Sequence, residues 1–287
     1  VASWRASLLS AADCAVNQGI ALLDAGEFAR ALAAGEQALR DARVVQPDAP
    51  DGAAARVARA ENLIGSVLHA IGRPELAVPH LREALSAAEL AGDGETYALG
   101  LANLSAVWTR QGDLVAAERD LREALSRFQQ MQDESLVAAA TGNLGDILRR
   151  LGPARWPDAL RLWKQALGGY PDSAPPSAAR CSVNLEIGNL ERLLEHLPQA
   201  QTALQASLED ARLMHATWPA VRAGMGLAAV ELAAHRPDLA LPRCLAVLDQ
   251  LGVSLHGLDD QSSTGARTEL SLLFDTGIEA AGATNDT

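Results

Sequence analysis

The sequence predicts an all-α solenoid: six stacked helical hairpins and a capping helix at the C-terminal end. Three observations predict it. A motif of small residues returns roughly every 40 positions. Ala and Leu dominate while only 3% of residues are aromatic, a palette that favours helix over sheet. And 48% of the 287 residues are hydrophobic against 21% charged, which supplies enough apolar surface for a packed core and excludes a disordered chain.

The motif runs from Asn, often followed by Leu, through a short apolar run to Gly, then a polar turn, then Ala, then Ala-Leu. It reads Asn17, Gly26, Ala31 and Ala38-Leu39 in the first repeat, and Asn62, Gly65, Gly72, Ala77 and Ala84-Leu85 in the second. The third has Asn103, Gly112, Ala117 and Ala124-Leu125; the fourth has Asn143, Gly145, Gly152, Ala159 and Ala166-Leu167. Two degenerate copies follow, Gly188, Ala200, Leu204 and Ser207-Leu208, then Ala228, Ala240, Cys244 and Val247-Leu248. The central alanines at 31, 77, 117, 159, 200 and 240 are 46, 40, 42, 41 and 40 residues apart. Pro, Asp and Gly in residues 46–52 mark the long first step as a loop insertion. The stretch 153–157, with Trp156 between two prolines, absorbs the extra residues of the third step.

These spacings place the repeats at about 12–45, 53–92, 94–132, 134–172, 174–213 and 217–252, with the cap at 262–282, in one continuous array. Gly65, Ser105, Gly145 and Gly188 are small so that the second helix of each hairpin approaches closely, and the central alanines serve the same contact from the other side. Leu81, Leu121, Trp163 and Leu204 fill the wider part from the second helices, Trp108 and Leu148 from the first. Gly26, Gly72, Gly112 and Gly152 end the first helices. Asp93, Asp133, Ser173 and Thr217 are expected as N-caps of the following ones, with Pro219 in a first turn. Trp4 and Trp218 are expected to pack at helix starts, Trp156 to pack on its loop or to anchor a partner. A single hairpin cannot bury its own apolar face, so the hairpins must stack.

The repeated small-Gly-Ala-Ala pattern over residues 12–252 resembles the tetratricopeptide repeat family. The length departs from it, since the standard unit has 34 residues. Longer units with Asn-Leu-Gly openings resemble the subclass found in kinesin light chain, cell-polarity adaptors and bacterial peptide-sensing regulators. The resemblance implies a right-handed superhelical solenoid without enzymatic activity, a scaffold or sensor domain of a larger bacterial regulator whose concave groove takes an extended peptide. It also implies which first-helix positions line that groove: Arg59, Asn62, Ser66 and His69; Asn103, Thr109 and Arg110; Asn143, Asp146, Arg149 and Arg150; Asn189 and Arg192; Arg222 and Met225.

The most pointed subset is Asn62, His69, Asn103, Arg110, Asn143, Arg149, Arg150, Asn189 and Arg192. It is basic and amide-rich on a chain of formal charge −12 and pI about 4.9. Asn offers a donor and an acceptor to a peptide backbone, and Arg a planar fork to a carboxylate. An acidic segment or a C-terminal carboxylate is the expected partner. The plainer reading is that these arginines balance carboxylates on neighbouring helices. Two further readings stand beside the peptide groove. Leu193, Ala229, Leu232 and Ala233 make the later repeats apolar enough for a small-molecule inducer pocket, as in the regulatory domain of a transcription factor or signalling ATPase, and an uncapped end or terminal helix would support a homodimer.

The acidity argues against direct nucleic-acid binding. Cys14, Cys181 and Cys244 are too few and too scattered for a disulfide framework and are expected as small core residues of a cytoplasmic protein. No uninterrupted apolar run reaches membrane-spanning length, so no transmembrane helix and no membrane partner are expected. The start at Val1, without an initiator Met, suggests a piece of a longer chain. No phosphate loop, nucleophile elbow or metal-spaced His/Cys cluster is present in the sequence, so no catalytic residue, metal or cofactor is expected. The double reversal Arg149→Glu/Arg192→Glu is expected to abolish capture of a cognate peptide while leaving the helical circular-dichroism signal unchanged.

Overall fold

A computed structural model of the chain describes residues 2–45, 50–169, 175–254 and 275–284, and all regular structure in them is helical. The chain divides into two compact units, Val1–Pro153 and Ala154–Thr287.

Among the described residues, unit 1 contains seven α-helices: α1 (Ala2–Asp24), α2 (Phe28–Val45), α3 (Pro50–Ala70), α4 (Pro74–Ala91), α5 (Gly94–Gln111), α6 (Leu114–Gln130) and α7 (Glu134–Arg150). Each packs on the next, and α3 also touches α1 and α5, so the first helices of successive hairpins form an inner row. In unit 2 a short 3-10 turn at Pro153–Arg155 leads into α8 (Trp156–Gly168). It continues with α9 (Ala178–Leu193), α10 (Leu197–Leu213), α11 (Thr217–Ala233) and α12 (Pro237–Ser254), and ends in α13 (275–284). Here α9 and α11 make the inner row. Each unit is thus a stack of helical hairpins.

The close approach that the motif implies is present in both units. A Cβ added to Gly65 would lie 2.6 Å from Leu81 Cγ and 3.4 Å from the carbonyl oxygen of Ala77. At Gly188 the same atom would lie 2.4 Å from Leu204 Cγ and 3.1 Å from the Ala200 carbonyl. Ser105, the one non-glycine of the three, donates its hydroxyl to the Ala117 carbonyl at 2.9 Å. The first-helix small residue therefore rests on the carbonyl of the motif alanine each time. Those alanines are fully buried. Around the contact, Ile64, Leu68, Leu81, Leu104 and Val107 form one core cluster of unit 1; Leu185, Leu204, Leu208 and Leu227 form that of unit 2. Trp163 is buried as expected, whereas Trp108 is half-buried and donates its indole N–H to Asp120 at 2.9 Å.

Several local expectations need correction. Asp93 and Asp133 cap α5 and α7, accepting from the backbone N–H of Thr96 and Leu136. Thr217, however, is the first residue of α11, whose N-cap is Ala216. Ser173 lies outside the described residues; the cap of α9 is Ser177, four positions later, because α9 starts only after the Pro175-Pro176 pair. The insertion after α2 is shorter than the sequence suggests: Pro50 is helical and opens α3, as proline at a first turn does. The first hairpin begins ten residues early, since α1 starts at Ala2. Cys14 is exposed, and only Cys181 and Cys244 are buried. Trp4 is 43% exposed and Trp156 half-buried.

One helix also meets the length and apolarity of a membrane crossing, α1 over Trp4–Asp24, with a mean hydropathy of 1.3. Polar residues interrupt its apolar run, but Ala and Leu outweigh them in the average. Its polar groups are tied to α3: Asp13 accepts from Arg56 at 2.8 Å and from Arg59 at 3.1 Å, and Asn17 accepts from Arg59 at 2.9 Å.

Gly188→Ala is expected to lower the stability of unit 2 by about 1–3 kcal/mol, the range for an extra methyl forced into a packed contact. Gly168→Ala, exposed at the end of α8 with nothing within 4 Å of the new Cβ, should instead be neutral or stabilising by up to about 1 kcal/mol. Chemical denaturation of both variants measures the difference; equal midpoints would show that the α9–α10 contact is not tight.

Candidate functional site

The inner rows carry the residues that the sequence singles out, and both units hold some of them. Asn62, His69, Asn103, Arg110, Asn143, Arg149 and Arg150 belong to unit 1; Asn189 and Arg192 belong to unit 2.

In unit 1 the asparagines of α3 and α5 join. Asn103 Nδ2 donates to Asn62 Oδ1 and to Ser66 Oγ, both at 2.9 Å. Ser66 in turn donates to the Asn62 carbonyl. The link spans adjacent repeats and fixes the amides on a half-exposed face. Among the described residues, Asn62 Nδ2 and Asn103 Oδ1 have no hydrogen-bond partner, so the ladder presents one donor and one acceptor outward. It does not continue into α7. Asn143 is exposed, and a cleft of about 170 Å³ lined by Ala102, Thr109, Asn143 and Asp146 lies between α5 and α7.

The cations of this face have local work. Arg110 donates to the carbonyl of His69 at 2.9 Å, in the last turn of α3, where basic groups suit the carbonyl end of a helix. His69 Nδ1 is buried without a partner. Burial, and secondarily the Arg110 guanidinium, hold its imidazole below the ordinary value, so it is neutral at pH 7. At the end of α7, Arg149 donates to Asp146 at 2.8 Å and Arg150 lies 4.0 Å from the same carboxylate. Two guanidinium groups thus share one acid one turn earlier.

Unit 2 has a different face. Asn189 and Arg192 of α9, Arg222 and Met225 of α11, and α13 line a half-open cavity of about 860 Å³. Ala229, Leu232 and Ala233 supply its apolar wall; Thr276, Glu279 and Ala283 line it from α13. Arg222 pairs with Glu186 at 3.5 Å. The side chain of Asn189 reaches inward because Gly226 has no Cβ: one added there would lie 3.2 Å from Asn189 Oδ1.

A pair of buried acids lies behind this face, and the repeat register carries a signal for them. Three residues after the small position stand Leu68, Trp108 and Leu148 in repeats two to four, but Glu191 and Glu231 in five and six. Both carboxylates are buried. Glu191 accepts from Lys164 of α8 and pairs with His196 ahead of α10, each at 2.7 Å. Glu231 pairs with Arg236 at 2.8 Å. Burial alone would raise the Glu191 carboxyl; the hydrogen bonds and charges of Lys164 and His196 outweigh it and hold the group below the usual carboxylate range. Among the described residues, no group of three or more His, Cys, Asp and Glu is arranged to hold a metal ion.

Hairpins packed small residue on alanine carbonyl, with amides along the inner row, make a tetratricopeptide-like fold. The family model described as Tetratricopeptide repeat matches residues 56–130, from within α3 to the end of α6. Among solved structures, the chain is similar to BtubC (BKLC) from P. vanneervenii, at 19% identity and a TM-score of 0.68, covering 81% of this chain and 94% of that one. It is similar to the apo form of the quorum sensor NprR from B. thuringiensis, at 13% identity and a TM-score of 0.68, over 91% of this chain and 68% of that one. A Rap protein complexed with Competence and Sporulation Factor is 12% identical with a TM-score of 0.61, over 93% and 74%. At these identities the likeness is one of fold. No curated protein matches the sequence.

Glu191→Gln is expected to destabilise unit 2 by about 1–2 kcal/mol near neutral pH, below the roughly 3–5 kcal/mol of a fully buried broken pair because Lys164 and His196 reach solvent. With the folded pKa depressed, the stabilisation is present above the ordinary carboxylate pKa and is lost as pH falls through the folded one. Thermal unfolding of wild type and variant across the acid range should therefore converge at low pH; a constant gap would assign the effect to packing.

Proposed function

We propose that the chain is a non-enzymatic docking scaffold, the sensor part of a larger regulator, which holds an extended peptide along the inner row of unit 1. The observation that carries this reading is the Asn103–Asn62–Ser66 ladder. It spends part of each amide on the neighbouring repeat and leaves a donor and an acceptor on the half-exposed face. A peptide backbone presents the matching groups at every residue. Asn143 offers a further exposed amide, and the two arginines on Asp146 favour an acidic side chain or a terminal carboxylate at the α7 end. The fold likeness supports the reading, since NprR is a quorum sensor and the Rap protein was solved with a bound factor. The three unpaired thiols fit a reducing compartment such as the cytoplasm.

A random decapeptide library panned on the purified chain provides the test. Enriched peptides should carry an acid near one end. Asn143→Ala with Arg150→Glu should weaken them by about 10-fold or more, as loss of a charge-assisted hydrogen bond does, while helicity is unchanged. No enrichment, or equal affinity for the double variant, would remove unit 1 as the peptide face.

A further inference from the structure

The cavity of unit 2 is unlike the inner row of unit 1 in one respect that the repeat makes visible. Arg149 and Arg192 occupy the same motif position, four residues after the small one, and Asp146 and Asn189 occupy the position just after it. In α7 the aspartate accepts from the arginine one turn later. In α9 that aspartate is Asn189, and the intrahelical counter-charge is gone. Arg192 Nε is buried without a hydrogen-bond partner, and among the described residues no carboxylate pairs with its guanidinium. The other cation of the cavity, Arg222, is engaged by Glu186.

The rest of the cavity says what would satisfy Arg192. At about 860 Å³ it has the size of a small-ligand site. Its wall on α11 is Met225, Ala229, Leu232 and Ala233, where the equivalent positions of α3 and α5 include Ser66, His69, Thr109 and Arg110. An inorganic anion would leave this apolar wall uncovered, and a neutral apolar molecule would leave the guanidinium unpaired. Glu279 of α13 places a negative charge on the lining, which disfavours a ligand with several anionic groups.

We propose that unit 2 binds a small amphipathic acid in this cavity, its apolar body against α11 and α13 and its single carboxylate on Arg192. Arg192 is half-buried with its Nε out of water, and a bound carboxylate gives its guanidinium the charge-assisted hydrogen bonds that no described side chain supplies. Asn189, admitted by Gly226, adds a donor beside the guanidinium. Burial draws the Arg192 guanidinium below its ordinary value, the direction expected where no carboxylate stands near to oppose it. This site goes beyond the peptide face: it lies on the other unit and uses other residues.

Calorimetric titration of the full chain with straight-chain fatty acids from hexanoic to dodecanoic, 4-phenylbutyrate and indole-3-butyrate, each beside the alcohol of the same skeleton, tests it. At least one acid should bind with one-to-one stoichiometry, about 10-fold or more tighter than its alcohol. Arg192→Gln should erase that preference, Arg192→Lys should keep part of it, and Glu279→Gln should strengthen acid binding. The Asn143→Ala/Arg150→Glu variant should bind the acid as wild type does, which separates this site from the peptide face. The proposal is overturned if acid and alcohol bind alike, or if Arg192→Gln, folded by circular dichroism, keeps the preference. It is equally overturned if no acid binds while free-carboxylate peptides do so through Arg192.

Discussion

A first helix rests on the carbonyl of the motif alanine through a glycine, or through a serine that donates it a hydrogen bond. Gly65 on Ala77, Ser105 on Ala117 and Gly188 on Ala200 make this contact. The contact brings Leu81 and Leu204 flush against the facing backbone and leaves them no exposure. Everything on the inner rows follows from it. With the hairpin closed at this point, residues one and four positions later on the same helix turn toward the inner face. Those are the positions of Ser66 and His69, of Asp146 and Arg149, and of Asn189 and Arg192.

The same geometry shows how much the sequence could tell. The small-residue contact was legible because it is local: both partners lie within one repeat, and the pattern recurs. The N-caps Asp93 and Asp133 were legible for the same reason, while Ser173 and Thr217 were misplaced because an Ala-rich, Pro-interrupted stretch has no sharp boundary. The asparagines were read as a recurring feature, but that Asn103 turns back onto Asn62 depends on the spacing of α3 and α5. No local pattern encodes that spacing. The cavity was only half legible. Its α9 and α11 residues stood in the sequence-derived groove, yet nothing in the composition of 275–284 says that its residues Thr276, Glu279 and Ala283 join that wall.

Glu191 and Glu231 are the instructive case, since their signal was present and needed only the repeat register to be seen. A carboxylate in a slot that elsewhere holds Leu or Trp must bring its own partners. In unit 2 those come from adjoining segments: Lys164 from α8, His196 from the turn before α10, Arg236 from the turn before α12. Glu191 ties its helix to α8 and to the turn before α10 by hydrogen bonds, and Glu231 ties its own to the turn before α12 by an ion pair, where Leu148 and Leu68 use undirected packing. Unit 2 also ends its first helices without glycine: Glu195 and His235 take the positive φ that Gly26, Gly72, Gly112 and Gly152 take in unit 1. Non-glycine residues there carry a backbone cost of about 1 kcal/mol or more.

Departures from a repeat usually weaken it, so their concentration in one unit calls for a physical reason. In unit 2 they coincide with the enlarged inner face. Replacing the polar series Ser66, His69, Thr109 and Arg110 by Ala229, Leu232 and Ala233 removes groups that would fill or hydrate the concavity. Replacing Asp146 by Asn189 at the equivalent position removes the one acid that would neutralise Arg192 from within its own helix. Either change alone would leave an ordinary surface: an apolar patch beside a paired arginine in the first case, a solvated arginine among polar groups in the second. Together they leave a charge beside the apolar wall of α11, an arrangement that a bound amphipathic anion serves well. The buried Glu191 and Glu231 anchors hold α9 and α11 through neighbouring segments, so the face they support does not depend on side chains filling the space in front of it.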